Sequence, residues 1–276
     1  MSGPTLAPAL LTHRVDGAGP PLLLLNGGLM SLTVWEPVAS ALAARHLVIR
    51  CDFRGQRLSP GEPPATLEGH ARDVLALVDH LGLTHVHVVG TSFGAFVAVK
   101  LAARHPERVA SLALVAATDR VEKGSAEEAR GAALRQACRA VAEGGDGGLL
   151  LDLLAPQTYS PEWLAARPFF LRERRQQVAS LPPEWFRAAE AFLVALQGLD
   201  LRSELARIRC PSLVVGAELD RTFPPPASQA LAAGLIGATL EIVEGAGHAV
   251  VVEAPDRVAR ILESFLARLT LEGVPA

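Results

Sequence analysis

Long apolar runs are missing from this chain. Its runs are short, as in LLLL at 22–25, whereas a bilayer span needs roughly 20 apolar residues. No transmembrane segment is expected. The opening MSGPTLAPALLTHRV has no basic residue ahead of its apolar part, which makes it a poor secretory leader. Cysteine is scarce. Cys51, Cys138 and Cys210 are odd in number and far apart, so neither a disulfide framework nor a metal-ligand spacing follows. An excess of one charge is lacking too: 26 Lys and Arg face 29 Asp and Glu, for a net charge of -3. Nothing in that balance favours nucleic acid or an anionic membrane surface as a partner. Internal repeats and low-complexity tracts are absent. A soluble, cytoplasmic protein is the expectation.

What is present is half hydrophobic, 50% of 276 residues, enough for one substantial core. Short Leu- and Val-rich stretches recur at 22–25, 47–51, 86–90, 112–116, 212–216 and 240–244. Continuous apolar runs of this length fit strands buried on both faces. Helical patterns lie between them. Val74, Leu77, Val78 and Leu81 fall on one helix face, Phe93 to Arg104 is helix-forming, and Asp256 to Leu269 forms another amphipathic helix. Alternation of this kind implies an α/β fold with a parallel sheet, and ligands then bind at the carboxyl ends of the strands. From about 118 to 207 no strand pattern occurs. That stretch is rich in Ala, Arg and Glu and holds Tyr159, Trp163, Phe169, Phe170, Trp185, Phe186 and Phe192. It reads as a helical insertion, leaving 1–117 and 208–276 as the core.

Gly90-Thr91-Ser92-Phe93-Gly94 is a G-x-S-x-G pattern, preceded by a strand and opening a helix. That context suits an exposed nucleophile on a sharp turn, with crowded positions on either side that favour glycine. A serine needs a base to become nucleophilic. His248, in EGAGH after the last strand, is the best-placed histidine; the seven others are less well placed, with His70, His80 and His105 on helices and His85 and His87 flanking a strand. The imidazole in turn needs a carboxylate. Asp220, after the strand SLVVG, is the first candidate, with Asp119 and Glu218 as rivals. Acyl transfer also needs N–H donors for an oxyanion. The backbone N–H groups of Phe93 and Gly28 are the expected pair, with Asn26 shaping the loop.

These stretches resemble the α/β-hydrolase superfamily: NGGLMSLTVW, CDFRGQRLSPGEP, GTSFG, GAELDRTFP and GAGHAVVVEAPDRV. The order Ser92, Asp220, His248 matches that family's order. Arg57 stands where its loop motif usually has Gly, and Asn26 where it usually has His. Asn26 with Trp35 is similar to the 3-oxoadipate enol-lactone hydrolases. The resemblance implies a mostly parallel eight-stranded sheet flanked by helices, with a helical cap at about 118–207. It also gives Asp200 and Glu253 structural roles. Serine as nucleophile implies acyl chemistry on a small or medium carboxylic ester or lactone, without a metal or organic cofactor. C–C hydrolysis, thioester hydrolysis, a cofactor-free perhydrolase or haloperoxidase, and a non-catalytic receptor stay open. Leu29, Trp163, Phe169 and Phe186 are the expected substrate-contacting residues. Arg172, Arg174 and Arg175 read as a solvated helix face, with a substrate carboxylate as the other reading. A homodimer is compatible with the sequence.

Overall fold

The structure is a computed structural model, and it describes residues 10–271. The N-terminal part of the segment read above as a poor leader lies outside the described residues. Seven strands form one sheet among the described residues: β1 His13–Asp16, β2 Pro21–Leu25, β3 Leu47–Cys51, β4 Val86–Thr91, β5 Val109–Val115, β6 Ser212–Ala217 and β7 Thr239–Val243. Their spatial order is β1-β3-β2-β4-β5-β6-β7. All neighbours are parallel except β1, which runs antiparallel to β3 at the edge. The eight strands expected are therefore seven here. β1 was not expected: its HRVD carries no apolar run, because an edge strand with one covered face needs none.

The helices are α1 Glu36–Leu42, α2 Leu67–His80, α3 Phe93–Arg104, α4 Ala126–Ala142, α5 Gly147–Thr158, α6 Pro161–Ala165, α7 Phe170–Ala179, α8 Pro183–Val194, α9 Arg202–Leu205, α10 Pro225–Ala233, α11 Val250–Glu253 and α12 Pro255–Leu271. Successive strand residues point to opposite faces, so a strand buried on both sides feeds two cores. In β2, Leu23 and Leu25 join the core that holds Val74, Leu77 and Phe96 from α2 and α3. Leu22 and Leu24 join the other, with Val38 and Leu42 of α1 and Val258, Leu262 and Phe265 of α12. Each face is thus sealed by helices.

Helices α4 to α8 follow β5 before the chain re-enters the sheet at β6. They share a small core of their own, with Cys138, Leu150, Phe186 and Ala189 as its buried members. No helix among the described residues is long and apolar enough to cross a membrane.

Candidate active site

The turn between β4 and α3 is forced into an unusual backbone. Ser92 has φ 48° and ψ −117°, a region that costs a side-chain-bearing residue about 1–3 kcal/mol. The surroundings impose it. The Ser92 N–H donates to Val115 O at 2.9 Å, which ties the turn to β5, and its carbonyl accepts the Ala95 N–H at 2.9 Å. The flanking glycines have no room for a side chain. A Cβ on Gly90 would lie 2.4 Å from Gly94 O, and one on Gly94 would lie 2.5 Å from both Leu25 O and Asn26 O.

Three residues from three loops converge at the carboxyl edge of the sheet. His248 Nε2 is 3.1 Å from Ser92 Oγ. On its other side, His248 Nδ1 is 2.8 Å from Asp220 Oδ2. The Asp220 side chain has no exposed surface, and that of His248 is 14% exposed. The second oxygen, Asp220 Oδ1, accepts the N–H groups of Thr222 at 2.7 Å and Phe223 at 2.8 Å. The carboxylate is fixed from both ends. The Phe223 ring meets the imidazole edge-on, centroids 5.5 Å apart. An arrangement like this passes a proton from hydroxyl to imidazole and holds the resulting cation against a buried carboxylate.

The rival carboxylates go elsewhere. Asp119 pairs with Arg120 at 2.8 Å. Glu218 accepts the Gly245 N–H at 2.8 Å and so shapes the loop that carries His248. Glu253 bridges two segments. Its carboxylate accepts the N–H of Gly247 at 3.1 Å and that of Ser160 at 3.1 Å. Gly247 makes this approach possible, since a Cβ there would stand 2.8 Å from Ser160 N and 2.9 Å from Thr158 O. Asp200 accepts the Arg202 N–H at 3.1 Å, at the start of α9.

The loop after β2 approaches the turn from the other side. A Cβ on Gly28 would be 3.6 Å from Phe93 Cβ, and one on Gly27 3.7 Å from Ser92 Cβ. The Gly27 N–H is directed at Met30 Sδ, 3.3 Å away. Among the described residues, the Gly28 N–H has no partner in the surrounding turns, nor has that of Phe93, the first residue of α3. Asn26 shapes this loop. Its Nδ2 donates to Cys51 O, Asp52 Oδ1 and Gln56 Oε1, while Gln56 Nε2 donates to Gly27 O at 2.7 Å.

A cavity of about 750 Å³ opens over these groups, walled by the core loops and by α4, α5, α7 and α8. Leu29 lines it. Trp163, Phe169 and Phe186 do not, which corrects the expectation for those three. Trp163 stacks on Tyr159 with centroids 5.1 Å apart. Phe169 is 59% exposed, and Phe186 is buried in the core of the helical layer. The aromatics from this layer that face the cavity are Tyr159, Trp185 and Phe192. Periodicity carries the signal that finds the last two. Trp185, Ala189, Phe192, Leu193 and Leu196 all line the cavity, and their spacing is one helix face. Phe186 follows Trp185, but one step turns a helix by about 100°. Among the described residues, no group of three or more His, Cys, Asp or Glu side chains is placed to hold a metal ion.

The chain is similar to known proteins. A family model for the alpha/beta hydrolase fold matches residues 20–255. RutD of Variovorax paradoxus (strain S110), a carbamate hydrolase by name, is 34% identical over 283 residues, covering 96% of this chain and 99% of that one. The pimeloyl-acyl-carrier-protein methyl ester esterase of Aeromonas hydrophila subsp. hydrophila is 31% identical, covering 91% and 96%. Among solved structures, the enol-lactonase of Burkholderia xenovorans LB400 superimposes with a TM-score of 0.81 at 26% identity, covering 93% and 96%. The chain belongs to the α/β-hydrolase fold family.

Proposed function

We propose that this chain is a serine hydrolase that cleaves a small or medium carboxylic ester or lactone through an acyl-enzyme. The observation that carries the reading is the unbroken series from Ser92 Oγ through His248 to the buried Asp220. His248 Nε2 takes the hydroxyl proton as Ser92 Oγ attacks the carbonyl carbon. The carbonyl π pair moves onto oxygen, where the N–H groups of Phe93 and Gly28 receive it. The C–O bond to the leaving group then breaks, and the imidazolium returns the proton to that oxygen. Water, deprotonated by His248, attacks the acyl carbon; the C–Oγ bond then breaks, and the imidazolium returns its proton to Ser92 Oγ as the acid leaves. The α4–α8 layer acts as the cap, and its apolar wall receives the organic part of the substrate. A volume near 750 Å³ suits a small or medium molecule.

Cleavage of a carbamate is the second reading, favoured by likeness to RutD across 96% of the chain. It uses the same attack on a carbonyl carbon and differs in the leaving group.

Replacing Ser92 by Ala tests the proposal. Turnover of 4-nitrophenyl butyrate is expected to fall by about 10⁴-fold or more, and labelling by a fluorophosphonate to disappear, with the melting temperature retained. A Ser92→Ala protein that turns the ester over at the wild-type rate sinks the reading.

A further inference from the structure

The cavity over Ser92 is electropositive in a chain that is not. Four arginines line it, Arg57, Arg130, Arg135 and Arg174, against two carboxylates, Glu127 and Glu128. The chain as a whole carries -3, so the surplus is local. Arg130 is neutralised by Glu127 at 3.1 Å and also donates to Thr222 O at 3.3 Å. It fastens α4 to the loop behind Asp220. Glu128 accepts the Gly124 N–H at 2.7 Å, at the start of α4. Arg57 is exposed.

Two half-buried cations are left. Arg174 lies next to Arg175 in sequence, yet Arg175 takes both Asp146 and Asp152. Arg174 meets the amide oxygen of Gln177 at 3.3 Å, and among the described residues it forms no salt bridge. Burial pushes the Tyr159 phenol up, the Arg174 charge opposes that push, and the Glu253 carboxylate adds to it. The guanidinium is therefore in electrostatic reach of a ring that faces the cavity. Arg135 also forms no salt bridge among the described residues. One turn before it in α4 sits Gly131, itself in the cavity wall. A Cβ on Gly131 would come 3.7 Å from Arg135 Nη1, so the guanidinium folds back over the space that the glycine leaves. The wall of the same cavity includes Leu150, Leu154, Trp185 and Leu193. A half-buried guanidinium outside any salt bridge gains most from a carboxylate, whose two oxygens match its fork of donors.

We propose that Arg135 and Arg174 bind a carboxylate that the substrate carries away from its scissile carbonyl. The inference rests on the hydrolase reading above for the word substrate, but its test does not require turnover. Calorimetry on Ser92→Ala protein compares monomethyl adipate with its neutral terminal amide. The acid is expected to bind at least about tenfold more tightly, the worth of one charge-assisted hydrogen bond. Adding Arg135→Gln and Arg174→Gln together brings acid and amide within about twofold of each other. The corresponding pair of Lys substitutions keeps the cations and retains a preference, which separates loss of charge from loss of fold. Equal affinity for acid and amide, no measurable binding of the acid, or a preference that survives both Gln substitutions overturns the proposal. Failure of wild-type protein to hydrolyse neutral 4-nitrophenyl hexanoate sinks the hydrolase reading instead and leaves the binding result standing.

Discussion

The loops at the carboxyl edge of the sheet and the helical layer above them are built on different physics. Ser92 and Asp220 hang from β4 and β6, strands buried along their whole length between two large cores, and His248 follows the edge strand β7, whose last residue Val243 is buried. Their positions are over-determined. Asp220 is held by two backbone N–H groups, and Ser92 by the strand beside it. The helical layer has four buried apolar residues in its own cluster. Exposed pairs supplement it, such as Arg139 with Glu190 and Arg187 with Glu184, and exposed pairs of this kind contribute little, about 0–1 kcal/mol each. The two regions are joined by Ala188 and Phe192 of α8, which enter the core of the frame, and by hydrogen bonds such as Ala249 N–H to Thr158 O at 2.9 Å and the Glu253 bridge. On the proposed function, the chemistry sits on the heavily packed frame, and the substrate meets the thinner wall. Such a division lets one change without the other.

The comparison breaks most visibly at glycine. Gly94 belongs to the rigid frame. Ala there would place Cβ 2.5 Å from two backbone oxygens of the β2 loop, and backbone on the sheet edge has no free end to swing away. Gly94→Ala is expected to lower stability by about 3 kcal/mol and to displace Ser92 from His248, so that ester turnover falls with it. Urea denaturation and a nitrophenyl ester assay check both. Wild-type stability in this variant would show that the frame yields as readily as the layer.

Acid separates the regions in a second way. Every histidine lies outside 118–207, and two are buried neutral in the frame. Burial pushes His70 down to about 3 and His87 down to about 4, from 6.5. His70 packs edge-on against Phe93, the residue after Ser92, with centroids 5.0 Å apart. A folded value below the unfolded one means that the unfolded chain takes up the proton first. The stability from a neutral His70 is complete above pH 6.5 and is lost as pH falls from 6.5 towards 3. At pH 5 the loss is about 2 kcal/mol. His70→Phe keeps the ring contacts and is expected to remove about that much of the difference in unfolding free energy between pH 7 and pH 5. An unchanged difference would move the acid sensitivity out of the frame.

The same division governs what the sequence discloses. β4 is read at 86–90 and observed at Val86–Thr91, and the helix expected at 93–104 is Phe93–Arg104. Strands buried on both faces must be apolar throughout, so composition alone marks them. The loops holding Ser92, Asp220 and His248 follow from the topology that those strands impose. In the helical layer composition is ambiguous. Helix α7, FLRERRQQVA, buries no residue, so its aromatic start says nothing about a pocket, and the expectation for Phe169 failed there. Trp163 and Phe186 failed for a different reason: each packs within the layer. Which face of a helix in this layer meets the cavity depends on how the helices lean together, and neighbouring residues carry that information only as a period. Arg174 and Arg175 are adjacent and alike in type, yet one faces the cavity and the other holds Asp146 and Asp152.

The smallest expected effect has the opposite sign to the first and completes the contrast. Gly131 lies within α4, in the thinner region, and an added Cβ would meet Arg135 Nη1 at 3.7 Å, an ordinary contact with the end of a flexible side chain. A glycine inside a helix costs roughly 0.5–1 kcal/mol relative to alanine. Gly131→Ala is therefore expected to raise stability by about 0.5 kcal/mol, where Gly94→Ala lowers it several-fold more. A thermal melt of the two variants side by side reads the difference. If Gly131→Ala destabilises the protein, the wall beside Arg135 is as tightly packed as the frame, and the contrast between the two regions does not hold at that point. If it stabilises, the glycine has been kept against helix propensity, and the space over α4 that the Arg135 guanidinium occupies is the physical reason left to explain it.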